Sequence, residues 1–376
     1  MSIISIVYQL IFWLMGFFLL WKIPRCRQVP VSGEAGDRGL CDFSIIIPAR
    51  NEEQTLPYLL ESLNAQSISP KEIILVNDSS TDATAEVAQR YDVRVIPAPS
   101  KPDGWSGKSW ACWTGAQAAT GQVLLFLDAD VRLAPSAIAR LWSTYEHDGG
   151  LVSVQPYHIM EKVYEQLSGF FNIVVMMGPN CFSLLGRRIE PTGAFGPCIL
   201  CDRLKYLEIE GHKAVKKKVV EDLPMGKLFK AAGVRNTCYG GRNCISFRMY
   251  PGGLKPLIEG WTKSMIFGAG EIHPVFLLLI IFWLCGCTAA VRGLISGLLD
   301  GNPLFWNSPL YTGVALYLLY AGQIWWMFRR IGRFSIVNAL LYPLTLLFFH
   351  LLFVLSFVQG AILRRVRWRG RNLHIG

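Results

Sequence analysis

The sequence has ten cysteines, but it lacks the spacing of a zinc-binding domain. Its only Cys-x-x-Cys pair is Cys198 and Cys201, and no second pair lies at zinc-finger distance. The remaining cysteines are scattered, so we interpret them as ordinary buried thiols. This spacing argues against the zinc-finger class, and structural disulfides are not expected in a domain that faces the reducing cytoplasm.

The chain also lacks a nucleic-acid-binding motif, although its formal net charge is +10. We therefore predict contact with anionic lipid head groups rather than with RNA or DNA. For the segment Lys213–Lys218 a merely solvated basic face is a reasonable alternative. The lipid interpretation is favoured for five arginines beside an apolar block at the C-terminus: Arg364, Arg365, Arg367, Arg369 and Arg371.

Charged residues make up only 17% of the chain, whereas 52% of it is hydrophobic and the mean hydropathy is +0.32. A soluble α/β domain alone would not be this apolar. The apolar residues are concentrated in four blocks: Ile3–Trp21, Pro274–Leu299, Leu310–Phe328 and Ile336–Leu363. The first three are predicted to span a bilayer. Because the first lacks a small-residue cleavage site, we predict a retained anchor rather than a removed signal peptide.

Basic residues orient these blocks in a membrane. Clusters of them follow the first and the third block: Lys22, Arg25, Arg27, Arg329, Arg330 and Arg333. Because positive residues are retained on the cytoplasmic side, both clusters should face the cytoplasm. We therefore predict a multi-pass protein of the cell membrane with a cytoplasmic central domain.

The fourth block conflicts with this orientation if it crosses the membrane once, because the arginine tail would then lie outside. We expect a re-entrant hairpin bent near Pro343, or an interfacial helix, that returns the tail to the cytoplasm. The predicted organisation has five parts: an anchor at 1–22, a basic, glycine-containing linker at 23–41, a central domain at 42–265, transmembrane or re-entrant helices at 266–363 and a basic tail at 364–376.

Strands and helices alternate in the first half of the central domain. The pattern predicts strands at Asp42–Pro48, Glu72–Val76, Val93–Ile96 and Val123–Phe126, and helices at Leu56–Gln66, Ala83–Tyr91 and Trp110–Ala119. Such alternation is typical of an α/β fold with a mostly parallel sheet flanked by helices. Ligands bind beyond the carboxyl ends of the strands in such sheets, where Arg50, Asp78 and Asp130 fall.

The most informative motif is Leu127-Asp128-Ala129-Asp130, in which an Asp-x-Asp closes the apolar run Val123–Phe126. A strand this apolar would not end in two carboxylates for packing reasons, because an unpaired buried charge costs several kcal/mol. Two carboxylates at a strand-to-loop junction suit a hard divalent cation, Mg²⁺ or Mn²⁺, that also holds phosphate oxygens. A solvated turn is the alternative, and the neighbouring motifs argue against it.

Four motifs resemble, in order and spacing, those of the family 2 glycosyltransferases, which have the GT-A fold. They are Ile45–Glu53 (Ile-Ile-Ile-Pro-Ala-Arg-Asn-Glu-Glu), Asn77–Asp82, Asp128–Asp130 and Glu221–Asp222, and the match covers about 42–265. The resemblance implies a sugar-nucleotide donor. It assigns Asp78 to the nucleoside, Lys108 to the diphosphate, Asp130 to the cation and Asp222 to the general base. On the same basis, other residues expected to bind the donor are Pro48, Arg50, Glu52 and Asp128.

Asp222 and Arg248 are the predicted catalytic residues. An N-cap role is the structural alternative for Asp222, because aspartate is favoured at that position. In an inverting transfer, a carboxylate deprotonates the acceptor as it attacks the anomeric carbon. Arg248 belongs to a motif that many processive members carry as Gln-x-x-Arg-Trp, but Ile245 and Met249 replace the other two residues here. The missing tryptophan argues against polymer synthesis and favours transfer of one sugar to an apolar acceptor.

The sequence indicates less clearly which residues bind the acceptor. The uncharged segment Ser168–Leu185 is either a core helix or an interfacial platform where a lipid enters. Glu259–Lys263 has the aromatic and basic mixture expected at a membrane surface. His158 and His212 are possible acid–base groups, although lone histidines are more often structural.

Further motifs resemble the carotenoid glycosyltransferases of staphyloxanthin-type pathways, nearly along the whole chain: Ser153–His158, Ala194–Pro197, Gly211–Lys213, Phe247–Tyr250, Glu259–Lys263 and Trp368–Arg371. These enzymes esterify the C30 acid 4,4'-diaponeurosporenoate with glucose from UDP-glucose. The resemblance therefore implies transfer of one hexose to a membrane-embedded carotenoid carboxylate. The alternatives are the same chemistry on a hopanoid, a polyprenyl phosphate or a diacylglycerol, and a non-enzymatic scaffold. A scaffold should lack Asp128, Asp130 and Asp222, which are all present.

Overall fold

The computed structural model describes residues 2–28, 40–218, 221–300, 309–362, 365–368 and 371–374. The chain divides into two compact units. One, called the sheet unit here, comprises Pro24–His158 and Glu190–Met249. The other, called the helical unit, comprises Met1–Ile23, Ile159–Ile189 and Tyr250–Gly376.

The described residues contain twelve named strands. They are β1 (Leu40–Ala49), β2 (Ser69–Asn77), β3 (Arg94–Pro97), β4 (Val123–Leu127), β5 (Val131–Leu133), β6 (Leu151–Gln155), β7 (Tyr157–His158), β8 (Cys198–Asp202), β9 (Asn236–Gly240), β10 (Ile245–Phe247), β11 (Arg365–Trp368) and β12 (Arg371–His374).

Fourteen α-helices are present in the same residues. They are α1 (Ile3–Leu19), α2 (Leu56–Asn64), α3 (Thr84–Ala88), α4 (Gly107–Ala118), α5 (Ala137–Asp148), α6 (Gly169–Met177), α7 (Arg203–Glu208), α8 (Gly211–Ala214), α9 (Asp222–Ala231), α10 (Leu254–Gly268), α11 (Pro274–Asp300), α12 (Pro309–Ile331), α13 (Ile336–Leu340) and α14 (Tyr342–Phe357).

A seven-stranded sheet in the order β3-β2-β1-β4-β8-β6-β9 forms the centre of the sheet unit. The pairs β3–β2, β2–β1, β1–β4 and β6–β9 are parallel, whereas β8 is antiparallel to both of its neighbours. A smaller sheet has the order β5-β10-β7. The predicted mostly parallel sheet flanked by helices is therefore confirmed.

Both faces of the large sheet are buried, which explains the continuous apolar runs of its strands. On one face, Ile45 and Leu125 belong to a core that also includes residues of α2 and α5. On the other face, Ile46 and Phe126, which pair across β1 and β4, pack into a core with residues of α4 and α9. The four predicted strands are confirmed, each with slightly wider bounds or a shift of one residue.

All three predicted helices have different bounds, and α2 ends at Asn64 instead of Gln66. Helix α3 is shorter than predicted, because the chain continues as turns after Ala88. Helix α4 begins at Gly107 instead of Trp110, and the Ser106 hydroxyl caps it by accepting the Ser109 N–H. Glycine has a low helix propensity, which concealed this start in the sequence. The shift moves Lys108 from a predicted loop into the first turn of α4.

Two helices of the helical unit are long and apolar enough to cross a membrane, at Pro274–Leu299 and Tyr342–Gly360, within the described residues. The first predicted span forms α1, which is apolar but has 17 residues, and the third lies in α12. The fourth block is interrupted at Leu341, so α14 starts with Pro343 in its first turn. The helix is therefore interrupted just before Pro343, whereas the bend and the re-entrant path stay predictions.

The segment predicted as a core helix or a lipid platform has its large side chains inside the helical unit. Phe170 and Phe171 on α6 are no more than 1% exposed, and the Phe171 ring lies 4.8 Å from that of Trp261. Trp261 itself is buried, and its indole N–H donates to the Ser168 hydroxyl. The core-helix interpretation is therefore supported, and Trp261 belongs to the same core. A membrane-surface position for Glu259–Lys263 stays a prediction.

None of the ten cysteines, all of which the structure describes, forms a disulfide, and all but Cys181 and Cys285 are buried. Burial raises the pKa of the Cys198 and Cys201 thiols, so they stay protonated at neutral pH. Protonated, buried thiols are poor metal ligands and poor nucleophiles. These observations fit the interpretation of structural thiols.

Candidate active site

The carboxyl ends of β1, β2 and β4 meet at one edge of the sheet because these strands are parallel neighbours. Arg50 and Asp78 follow the first two strands directly. The Arg50 guanidinium lies 3.6 Å from the Asp78 carboxylate, and the Asp78 N–H donates to the Ala49 carbonyl at 2.9 Å. Two of the predicted donor residues are thus brought together.

Asp78 also lies against the first residue of α4. A Cβ on Gly107 would overlap the Asp78 carboxylate, so glycine is needed for this close approach. Asp78 is only 8% exposed.

Lys108 connects three elements of the sheet unit. Its Nζ lies 2.7 Å from the Asp128 carboxylate, after β4, and 3.3 Å from the Glu221 carboxylate, before α9. Burial alone would lower the pKa of Lys108, but the negative charges of Asp128, Glu221 and Asp222 raise it well above its ordinary value. Lys108 is therefore a fixed positive charge in the middle of a carboxylate cluster.

Asp222 has the electrostatics of an acid–base group. Burial, followed by the charge of Glu221, raises the pKa of Asp222 to about 7, while Lys108 acts in the opposite direction. Both protonation states are then populated at neutral pH, as a general base requires. The N-cap alternative for Asp222 was wrong, because the N-cap residue of α9 is Glu221 and it makes no side-chain capping bond.

The structure adds Glu221, which was absent from the predicted site residues. Its side chain is 8% exposed and pairs with Lys108. The only sequence signal was its place next to Asp222 in the Glu-Asp motif. Glu221 pairs with Lys108 and also raises the pKa of Asp222. It therefore acts on both the predicted diphosphate-binding residue and the predicted base.

The cluster carries more negative than positive charge. Burial raises the pKa of Asp128, and Glu221 and Glu52 raise it further against the opposing effect of Lys108. Glu52 is held by the Thr55 hydroxyl, which donates to its carboxylate at 2.6 Å. Such a surplus of carboxylates would be stabilised by a bound cation.

The donor set at this edge fits a hard divalent cation. Carboxylate oxygens are the ligands of Mg²⁺ and Mn²⁺, and Asp128 and Asp130 supply two groups at a strand end. Among the described residues, no group of three or more His, Cys, Asp or Glu side chains could hold a metal ion. A cation held by one or two carboxylates and completed by phosphate oxygens and water needs no larger group.

Arg248 and Pro48 are located by strand register. Phe247 of β10 pairs with Val131 of β5 in antiparallel register. Arg248 comes directly after Phe247 and Asp130 directly before Val131, so both lie at the same end of this strand pair. Pro48 pairs with Val76, one residue before the end of β1. Pro48 therefore lies at the correct edge of the sheet, and the direct roles of Pro48 and Arg248 stay predictions.

The two histidines do not suit acid–base catalysis. Burial lowers the pKa of His158 to about 3 and that of His212 to about 4, so both rings are neutral at pH 7. His212 Nδ1 lies 2.8 Å from the Tyr206 hydroxyl inside the core. The structural interpretation is therefore the better one for both residues.

A mixed sheet with an acidic cluster at its carboxyl edge is the arrangement expected of the GT-A fold, and comparison with solved structures agrees. The mannosyltransferase PcManGT from Pyrobaculum calidifontis, solved with GDP-Man and Mn²⁺, matches with a TM-score of 0.50 at 15% identity, over 90% of this chain and 95% of that one. This similarity shows the fold.

The sequence matches are closer. The model of the glycosyl transferase family 2 matches residues 44–198. The 4,4'-diaponeurosporenoate glycosyltransferase of Staphylococcus aureus (strain USA300) is 38% identical over 337 residues, 89% of this chain and 88% of that protein. The enzyme of the same name from Staphylococcus haemolyticus (strain JCSC1435) is 38% identical over 339 residues, with the same coverage. The chain belongs to glycosyl transferase family 2 and is an enzyme of that family.

Proposed function

We propose that this glycosyltransferase moves one glucose from UDP-glucose to the carboxylate of the C30 carotenoid acid 4,4'-diaponeurosporenoate, with inversion at the anomeric carbon. The observation that carries the acceptor is the 38% identity over 337 residues to enzymes named for it. This similarity extends over both units of the chain. The carboxylate cluster around Lys108 supports the transfer chemistry.

The donor is held at the carboxyl edge of the sheet. Asp78, with Arg50 beside it, binds the nucleoside, and Pro48 and Glu52 complete this side of the site. Asp130, with Asp128, would hold Mg²⁺ or Mn²⁺, which when bound supplies positive charge to the leaving diphosphate. Lys108 keeps Asp128 and Glu221 in place and adds a positive charge near the diphosphate. Arg248 adds a further positive charge beside Asp130.

The transfer itself needs an ionised acceptor oxygen. That oxygen attacks the anomeric carbon, the bond from this carbon to the UDP oxygen breaks, and UDP leaves with the electron pair. An unperturbed carboxylic acid has a pKa of about 4.3 and is already ionised at neutral pH. An apolar environment raises that pKa. Asp222, whose pKa is about 7, then receives the acceptor proton.

The raised pKa of Asp222 also suits a second class of acceptor lipids. A general base with a pKa near 7 is what a hydroxyl acceptor requires, because a hydroxyl is a weak nucleophile at neutral pH. A hopanoid or a diacylglycerol would present such a hydroxyl, and a polyprenyl phosphate would present an ionised oxygen. These lipids are the second candidate class of acceptors.

The proposed site of action is the cell membrane, with the catalytic residues on the cytoplasmic side. Two apolar helices of sufficient length support this proposal. Large apolar side chains are also exposed along α1, α11 and α14, including Ile4 at 68%, Leu298 at 64% and Leu344 at 61%. Extended apolar surface of this kind is stable in contact with lipid tails but not with water.

Comparison of membrane lipids tests the acceptor. Lipids are extracted from cells that make the carotenoid acid, with and without the gene, and analysed by mass spectrometry. We expect a carotenoid hexose ester only where the gene is present, and its absence from cells with the Asp130→Asn variant serves as the matched control. A hexosylated hopanoid or diacylglycerol in its place would contradict the carotenoid acceptor.

The orientation of the tail can be tested by labelling. The side chains of the five C-terminal arginines lie outside the part that the structure describes, so their contact with lipid stays a prediction. We expect a Gly376→Cys variant to resist an impermeant maleimide in intact cells and to react in opened cells, because the tail is cytoplasmic.

An Asn302→Cys variant serves as the matched control, since positive residues predict that the loop between the second and third apolar blocks lies outside. It should react in intact cells, and the unchanged chain corrects for the exposed Cys285. Labelling of the Gly376→Cys variant in intact cells would contradict the cytoplasmic tail.

A further inference from the structure

The backbone between Gly193 and Pro197, called the glycine segment here, joins two parts of the candidate site. The Ala194 N–H donates to the Asp222 carbonyl at 3.3 Å, near one end of the segment. The Pro197 carbonyl accepts the Asp128 N–H at 3.0 Å, at the other end. One short segment therefore holds the backbone of the candidate base and the backbone of the Asp-x-Asp loop.

Gly196 makes the closest approach of this segment to the base. Its backbone N–H acts on the Asp222 carboxylate and lowers the pKa of that group, against the larger effect of burial. A Cβ on Gly196 would overlap that carboxylate, and the three atoms nearest to it all belong to Asp222. Gly196 has no positive φ angle, so its backbone conformation does not require glycine. Glycine is needed at this position because a side chain would occupy the space of the Asp222 carboxylate.

The glycine segment cannot move aside to make that room. A Cβ on Gly226 of α9 would overlap the Gly193 backbone, and a Cβ on Gly193 would overlap Leu223. The Gly193 carbonyl also accepts the side-chain N–H of Asn236, at 2.8 Å. Helix α9 and the segment are thus packed backbone to backbone, and a methyl group at Gly196 would have to displace the Asp222 side chain.

We propose that Gly196 is a positioning residue of the transfer reaction: by lacking a side chain, it lets its N–H hold the Asp222 carboxylate at a fixed place relative to the Asp-x-Asp loop. The inference rests on the proposed role of Asp222 as the base. It gives a function to the Ala-Phe-Gly-Pro motif, which the assigned roles of the other site residues leave unexplained.

The first test is a Gly196→Ala variant of the full chain, assayed with UDP-glucose and the carotenoid acid. We expect kcat to fall about 10²-fold, which is the usual cost of misplacing a catalytic group by about 1 Å. The KM for UDP-glucose should change little, because the three atoms nearest to a Cβ on Gly196 all belong to Asp222. A Gly252→Ala variant is the matched control, since a Cβ there makes only ordinary contact at 3.6 Å with Pro256.

A double-mutant cycle separates positioning from a general structural effect. If Gly196 acts only through Asp222, adding Gly196→Ala to Asp222→Asn should cause no further loss of kcat. In the single Gly196→Ala variant the acid limb of the pH profile should also move to higher pH, because a lost N–H bond disfavours the ionised carboxylate. The proposal would be overturned if the two substitutions lowered kcat independently, so that their fold-losses multiplied in the double variant. It would also be overturned if Gly196→Ala alone left kcat unchanged.

A second variant covers the case in which the Gly196→Ala chain fails to fold. Replacing Asp222 by glycine in the same chain removes the carboxylate that the methyl group overlaps, so this double variant should fold, as judged by its melting temperature. A double variant that still fails to fold would overturn the proposal. If the wild-type chain instead glycosylates another lipid, only the proposed acceptor fails, and the same cycle is run on that lipid.

Discussion

Replacing Asp130 by asparagine should reduce transfer by about 10³-fold or more while leaving the protein folded. The reason is that Asp130 is the predicted cation ligand, and a cation at the diphosphate contributes several kcal/mol of transition-state stabilisation. The site has few other ligands to compensate, since no group of three or more potential metal ligands occurs among the described residues. Initial rates with saturating UDP-glucose, measured across a Mn²⁺ titration, check this expectation.

An Asp92→Asn variant provides the control for this experiment, because Asp92 is an exposed aspartate at the start of β3, at the opposite end of the strands. It should retain wild-type activity. The melting temperature of the Asp130→Asn chain should also stay close to that of the wild type. Activity that survives both the Asp130→Asn change and a chelator would contradict the metal-dependent interpretation.

Replacing Asp222 by asparagine should reduce transfer to a carboxylate acceptor by an intermediate factor, below the upper end of the 10²- to 10⁴-fold range typical of general bases. The buried carboxylate of Asp222, with a pKa of about 7, is the only base that the proposed mechanism uses. A carotenoid acid needs that base only for the fraction of acceptor that is protonated. Because this fraction falls as pH rises, the loss should shrink at higher pH.

The activity of the wild-type enzyme should also depend on pH. Asp222 is active when ionised, so kcat/KM should fall as pH drops below about 7. The Asp222→Asn variant should lack the inflection of Asp222 and should instead follow the ionisation of the acceptor carboxyl, so that its rate approaches that of the wild type as pH rises. A loss above about 10⁴-fold that does not change with pH would favour a hydroxyl acceptor or a structural role for Asp222. In either case the carboxylate acceptor would have to be withdrawn.

The parallel half of the fold was predictable because its strands are buried on both faces. Continuous apolar runs such as Val123–Leu127, each ended by polar residues, mark central strands and the edge where they terminate. Arg50, Asp78 and Asp128 follow directly from that pattern. The other half of the sheet was not predicted, because β8 pairs in antiparallel register between two strands that come from distant parts of the chain.

Local propensity was misleading where tertiary contacts decide the structure. The Gly107 start of α4 has a low propensity, yet the Ser106 cap and the contact with Asp78 require it. Trp261 has the flanking residues of a membrane-surface tryptophan, but its indole is satisfied by Ser168 inside the helical unit. These outcomes depend on partners that are far away in the sequence.

The candidate site, like the fold, was predictable from the sequence only in part. Motifs predicted which residues gather, but they did not reveal that Glu221 pairs with Lys108 or that Gly196 contacts Asp222. Nor did they predict how strongly burial lowers the pKa of His158, which removes that ring from acid–base chemistry. Distances and burial set these properties, and the linear sequence contains neither.

The most direct test of the account is the chemistry of the product. The purified full-length chain is incubated with UDP-glucose, Mn²⁺ and 4,4'-diaponeurosporenoate in lipid vesicles, and the product is treated with mild alkali. The account predicts a compound with one hexose joined to the acceptor carboxyl as an ester, which alkali cleaves to the free acid. A product that resists alkali, or the absence of any hexosylated carotenoid while another lipid is glycosylated, would contradict it.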